Sequence, residues 1–292
     1  MAQPLLSNNS LGKPINVASV PQRSPFRYPG GKTWLVPRVR QWLTNQNRVA
    51  NFYEPFAGGG IISLTVAFEN LSDHVTMVEL DDQVAAVWHT IIDDEHGAEW
   101  LSKTILEFDV TEETVQGVIN VKQVGIRQKA FQTILKNRTY RGGILAKGSA
   151  PLKKGENGRG IKSRWYPETL AKRIGEIAKV RRKITFIEGD GMDLLETHGK
   201  EKSAAWFIDP PYTASKKKAG SRLYTYYNLD HHHLFDLAAN IAGDFLMTYD
   251  NGEEIWNLAK DYCFAIQQVA MNNTHHAEMT ELLIGRSLDW LW

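Results

Sequence analysis

The chain has 292 residues, 42% of them apolar and 10% aromatic, with a formal net charge of +1. That length accommodates one large α/β domain and a smaller unit, and that composition buries a real core. A single cysteine, Cys263, excludes intramolecular disulfides and cysteine-rich metal or iron–sulfur sites, and no apolar run reaches the roughly 18 residues a membrane helix needs, so a soluble cytoplasmic protein without membrane attachment is expected.

Residues 1–25, rich in Ser, Asn and Pro, lack the charged-then-apolar order of a secretion signal and read as a flexible tail. Residues 26–43 pass through Tyr28-Pro29-Gly30-Gly31-Lys32 into an amphipathic stretch with Trp34, Leu35, Val39, Trp42 and Leu43, the pattern of a turn and then a helix. A short strand is predicted over 51–54, followed by Phe56-Ala57-Gly58-Gly59-Gly60 and an apolar helix over 61–68. A second strand over 75–80 and a helix over 83–92 complete the opening of a parallel α/β sheet. Strands resume at 184–188, ending in Gly189-Asp190, and at 204–208, running into Asp209-Pro210-Pro211-Tyr212. Three more, over 245–249, 264–271 and 279–284, bring the total to about seven, the last two antiparallel to one another.

Between these blocks the charge separates. Residues 122–183 hold 18 Lys and Arg against three acids, a net of +15, while the remainder carries a net of −14. Two helices, over 126–137 and 167–183, flank a Gly/Lys-rich loop over 141–164. Clustering this dense reads as a polyanion footprint, since cations of this kind gain affinity by releasing counterions from phosphates.

Asp209-Pro210-Pro211-Tyr212 carries the strongest chemical signal. Two prolines cannot extend a sheet ladder, and they fix φ, so they hold the chain rigid where an α/β sheet places its ligands. Asp209 and the Pro210 carbonyl can both accept from one amino group while Tyr212 stacks on its ring. Accepting both N–H bonds of an aromatic amine favours a nitrogen whose lone pair can attack an activated methyl group. Phe56-x-Gly58-x-Gly60 suits a tight turn against a ligand, and Glu79, at the end of the second strand, is placed to take both hydroxyls of a ribose. The order is not the full dinucleotide pattern, because Ser63 occupies the third position after Gly60. Gly31-Lys32-Thr33 looks like the end of a phosphate loop but lacks its first glycine, which would fall at Phe26. A Lys beside a cofactor carboxylate and an aromatic beside its sulfonium are the better roles there.

In this order the motifs resemble the Dam-like family of DNA adenine N6-methyltransferases, over about residues 26–285. The resemblance implies an S-adenosylmethionine site formed by Tyr28 and Lys32, by Phe56, Gly58 and Gly60 around the methionine part, by Glu79 at the ribose and by Asp190 near the adenine, with Asp209 at the meeting point of cofactor and base. It implies catalysis by Asp209, Pro210 and Tyr212 with no metal, on adenine turned out of double-stranded DNA. The implied architecture is an α/β, seven-stranded Rossmann-like methyltransferase sheet, with residues 26–105 and 184–292 catalytic and 106–183 an inserted, mainly helical DNA-recognition domain. Arg138, Arg141, Lys153, Lys154 and Arg159 of the insert, and Lys217 and Arg222 after the catalytic tetrad, are the expected DNA contacts. Asn137-Arg138-Thr139-Tyr140-Arg141-Gly142-Gly143 is similar to the family's Asn-Arg-x-x-x-Asn-Gly stretch but has Gly142 where Asn is usual. A monomer or weak dimer is expected, and any cognate restriction nuclease would act separately.

Three consecutive histidines, His231-His232-His233, point in different directions at a helix start and do not read as a metal site. The basic stretch Lys216-Lys217-Lys218 with Arg222, Tyr224, Tyr226 and Tyr227 reads as a loop over the substrate strand, and Trp165 could touch DNA from within the insert. Two other readings remain: the same fold acting on cytosine N4 or an RNA base, and a DNA-binding protein without activity. Asp rather than Ser at the head of the tetrad favours adenine, and the intact tetrad favours an enzyme.

Overall fold

A computed structural model describes residues 7–11, 15–27, 30–123, 125–146, 148–153, 158–212, 229–272 and 278–292. In chain order the strands are β1 (Ser7–Leu11), β2 (Asn51–Glu54), β3 (His74–Glu79), β4 (Ile184–Glu188), β5 (Ala204–Ile208), β6 (Asp244–Asp250), β7 (Ala265–Asn272) and β8 (Glu278–Gly285). They form one sheet in the order β1-β7-β8-β6-β5-β2-β3-β4. β8 runs antiparallel to both neighbours and the other pairings are parallel. The seven expected strands are therefore joined by an eighth at the edge, from a segment read as tail.

The described helices are α1 (Val36–Thr44), α2 (Ile61–Glu69), α3 (Asp82–Ile92), α4 (Gly97–Glu107), α5 (Glu112–Ile119), α6 (Ile126–Thr139), α7 (Pro167–Val180), α8 (Gly191–His198), α9 (His231–Ala239) and α10 (Glu253–Asp261). Their limits are local chemistry. Asp81 caps α3 by accepting from Gln83 N and Val84 N, Thr111 and Thr114 form a reciprocal capping box on α5, and Pro167 opens α7 where its missing N–H costs nothing. α2 ends at Asn70, whose φ of 54° and N–H to Val66 O close the last turn in the left-handed manner.

β5 is buried along its whole length, as a central parallel strand must be. One apolar cluster joins Phe52 and Val75 of the sheet and Ile62 and Leu64 of α2 to Trp88 of α3, Leu101 and Ile105 of α4, Ile134 and Leu135 of α6, and Leu170, Ile174 and Ile177 of α7. α6 packs on α3, and α7 on α4. The helices of the expected insert therefore share the core of the sheet instead of enclosing one of their own.

Chain direction sets the site. From β2 the chain steps outward through β3 to β4, then returns to β5 on the other side of β2. The crevice between β2 and β5 is the switch point at whose carboxyl side open α/β sheets bind ligands.

Candidate active site

Four strand ends meet there: Glu54 closes β2, Glu79 closes β3, Asp190 follows β4 and Asp209 follows β5. Asp209 is the most heavily held. Its Oδ1 accepts from Thr248 Oγ1 at 2.7 Å and from Tyr212 OH at 2.9 Å, and its Oδ2 lies 3.0 Å from Lys32 Nζ. Thr248 can reach because Ile208 pairs with Met247 across β5 and β6, which sets Asp209 beside Thr248. Lys32 is only 4% exposed and also donates to Gly30 O at 2.9 Å. Its ammonium stands 5.0 Å from the centre of the Tyr212 ring, which is stacked 5.8 Å from Tyr249. Pro210 is buried.

A second carboxylate enters from β8. Glu281 Oε2 is 3.6 Å from Lys32 Nζ and accepts from Tyr212 OH at 3.2 Å. Burial raises its pKa, and Lys32 opposes the shift. It reaches this edge because β8 is antiparallel, so that its early residues lie where the parallel strands end; Glu281 pairs with Asp250 of β6. Beneath, Glu54 is 3% exposed, accepts from Ser63 N at 2.9 Å, and is pushed by burial to a pKa of about 8. It anchors the first turn of α2, and Lys32 and Asp209 both act on its charge.

The glycine turn has the left-handed backbone that its residues allow, with φ of 48° at Gly58 and 62° at Gly60. A Cβ on Gly60 would stand 2.6 Å from Met77 Cε and 3.0 Å from Trp88 Cζ2, so this glycine also serves close packing beneath the turn. Glu79 accepts from Gly58 N and Asp81 N, each at 2.8 Å, and burial raises its pKa to about 7. Each oxygen keeps a further lone pair, the complement of two neighbouring hydroxyls. Phe56 is partly exposed beside the turn, and Asp190 is exposed, with Oδ1 accepting from Met192 N. A Cβ on Gly191 would meet Pro55 O at 2.2 Å, so α8 starts hard against the same turn.

The expected DNA contacts separate. Arg141, Lys153 and Arg159 are exposed. Arg138 is 5% exposed and donates to Pro25 O, so the expectation of a surface contact is corrected: its guanidinium faces the N-terminal segment. Burial first, then Arg173, Arg27 and Arg164, lower its pKa to about 9. Asn137, fully buried, accepts from Arg27 N at 2.8 Å and donates to Arg27 O at 3.0 Å and Gly143 O at 2.8 Å. Arg173 Nη1 adds a bond to Ser24 O at 3.0 Å. The Asn-Arg motif is thus a clamp on residues 24–27, which lead directly to Lys32. Part of the basic stretch is paired with acids of the same chain at the surface, as Arg127 pairs with Asp94 at 2.6 Å and Lys129 with Asp82.

Tyr28, Lys154, Lys217 and Arg222 lie outside the described residues, as do Lys216, Lys218, Tyr224, Tyr226 and Tyr227. Trp165 is buried against Phe108, with ring centres 6.2 Å apart. His231 Nδ1 is 2.9 Å from Tyr249 OH and His233 Nε2 is 3.2 Å from Glu196, so these two histidines have separate partners. Sequence reasoning missed Thr248 and Glu281. The one available signal was a lone acid in the otherwise uncharged run Met279-Thr280-Glu281-Leu282-Leu283-Ile284.

The sequence profile of the family described as D12 class N6 adenine-specific DNA methyltransferase matches residues 28–274. No curated protein sequence matches the chain. Among solved structures it is similar to a SAM-dependent methyltransferase from Agrobacterium tumefaciens, with a TM-score of 0.41 and 11% identity over 87% of this chain and 60% of that one. It is also similar to precorrin 8W decarboxylase from Methanobacterium thermoautotrophicum, with a TM-score of 0.37 and 10% identity over 89% of this chain and 94% of that one. Spermidine synthase from Thermotoga maritima has a TM-score of 0.35 and 8% identity over 94% and 60% of the two chains.

Proposed function

The chain belongs to the D12 class N6 adenine-specific DNA methyltransferase family, and from that premise we propose that it methylates N6 of adenine in duplex DNA, with the target base turned out of the helix. S-adenosylmethionine as cofactor follows from the same membership; it supplies a methyl group on a positively charged sulfur. The observation that carries the reading is Asp209, fixed on a rigid Pro-Pro turn at the crevice and beside the glycine turn.

The residues fit both partners. Phe56 offers a partly exposed aromatic face beside the glycine turn that Gly58 and Gly60 allow, Glu79 offers two acceptors for ribose hydroxyls, and Asp190 offers one more at the next strand end. Lys32 is, among the described residues, the cation paired with Asp209 and the counter-charge for a carboxylate there. Asp209 and the Pro210 carbonyl accept from the amine and orient its lone pair toward the methyl group, and Tyr212 covers the ring. Asp209 also offsets the positive charge that develops on nitrogen. Adenine N6 is paired inside a duplex, so reaching it requires extrusion of the base. The exposed Arg141, Lys153 and Arg159 supply phosphate contacts.

The test is direct. Duplex oligonucleotides incubated with the full chain and labelled S-adenosylmethionine are digested to nucleosides and separated. Label in N6-methyladenine supports the reading; label confined to cytosine, or to RNA offered in parallel, sinks it.

A further inference from the structure

Asp209 has no idle oxygen: Thr248 and Tyr212 hold Oδ1, and Lys32 holds Oδ2. Oδ1 already carries two donors and Oδ2 one, so an incoming amine has to share Oδ2 with the Lys32 ammonium unless that cation shifts. Thr248 is fixed in β6 and fully buried, and Tyr212 sits on the Pro-Pro turn. Lys32 carries its charge on four flexible methylenes, so it is the partner able to move. An ammonium this deeply buried cannot be released without another anion, because an unpaired buried charge is strongly destabilising.

Glu281 is that anion. Its Oε2 already lies 3.6 Å from the same Nζ, its residue is 8% exposed, and Tyr212 OH, which touches both carboxylates, holds it in place. Resting on the methyl-transfer reading above, we infer that Glu281 is a positioning residue: it draws Lys32 away from Asp209 as the base arrives, freeing Oδ2 to accept from the amine. No covalent bond changes in this step; one ammonium exchanges one carboxylate for another.

Glu281→Gln tests this in the full chain. The amide is isosteric and keeps an oxygen that can accept from Tyr212 OH, so the variant is expected to fold as the parent does. Three readouts are compared: S-adenosylmethionine affinity by calorimetry, duplex affinity by fluorescence anisotropy, and single-turnover methyl transfer at saturating levels of both. The expected result is transfer roughly 10- to 100-fold slower, with both affinities within about twofold of the parent. Glu281→Asp, which keeps the charge, is expected to be several-fold faster than Glu281→Gln.

Four outcomes overturn the inference: a Glu281→Gln rate within twofold of the parent; equal losses in the two variants; cofactor affinity falling in step with rate, which would tie Glu281 to the cofactor and not to Asp209; or a variant that unfolds, which would make Glu281 a structural anchor. A parent chain that transfers no methyl group to adenine would instead remove the methyl-transfer reading, and the inference with it.

Discussion

Asp209 keeps one carboxylate oxygen for neutral donors and the other for a cation. Asp209→Asn keeps the size and the turn but loses the charge that offsets the positive nitrogen, and its own NH2 can face the amine. Electrostatic groups of this kind contribute about 100- to 1000-fold in rate. Single-turnover transfer is therefore expected to fall at least about 100-fold with cofactor and duplex binding nearly intact; a rate within a few-fold of the parent would remove Asp209 from the chemistry. Glu54 makes a different claim. Burial pushes its pKa up to about 8 in the folded chain, against an ordinary value of 4.5. Between these values the folded state binds the extra proton, so stability is full below the ordinary value and declines as pH rises toward the folded one. Glu54→Gln removes this titration. Denaturant curves at several pH values should show the variant gaining on the parent by about 1.4 kcal/mol per pH unit over that window; parallel pH profiles would mean that Glu54 does not titrate there.

Among the elements, the clamp at the end of α6 is the least expected piece. Asn137 satisfies both backbone groups of Arg27 and one of Gly143. Gly143 itself has φ 72°, and a Cβ there would stand 2.4 Å from Arg27 O. Asn137→Ala leaves those buried groups unpaired and is expected to cost about 2–4 kcal/mol of stability; a loss under about 1 kcal/mol in chemical denaturation would show that water replaces the side chain. The sequence showed the motif but not its role, because an Asn-Arg pair looks alike whether it meets phosphate or a carbonyl brought from over 100 residues away. β2, β4 and β5 were legible to the residue, since β-branched and aromatic runs end at a glycine or proline. α4 and α5 were not: α4 fully buries only Leu101 and Ile105 among its larger side chains, and α5 only Val115, a stripe too sparse to stand out. At the site, Asp209 and Glu79 could be read from the ends of parallel strands. Glu281 could not, because its place depends on β8 running the other way.

On the scale of the whole molecule, the +15 stretch divides its charge between pairing with acids of the same chain and facing solvent unpaired by them. Lys153 and Arg159 are on the outward side. Replacing both with Gln is expected to flatten the slope of log affinity against log salt by about 0.9 for each phosphate that is no longer neutralised, with cofactor binding unchanged. An identical slope would take this loop off the DNA. The sheet order has a consequence for how the protein is made. β2 pairs on one side with β3, which emerges shortly after it, and on the other with β5, where Phe52 meets Ala205. At roughly 5–20 residues per second, a ribosome takes about ten to thirty seconds to deliver the second partner. For that interval Phe52 and Tyr53 lie on an open strand edge of the kind that recruits foreign strands. The nascent chain can meanwhile assemble α3, α4, α6 and α7 against one another, so these helices are complete before the strand that leads into Asp209 exists. A translation pause between the end of α7 and the start of β5 prolongs the exposure without interrupting any helix.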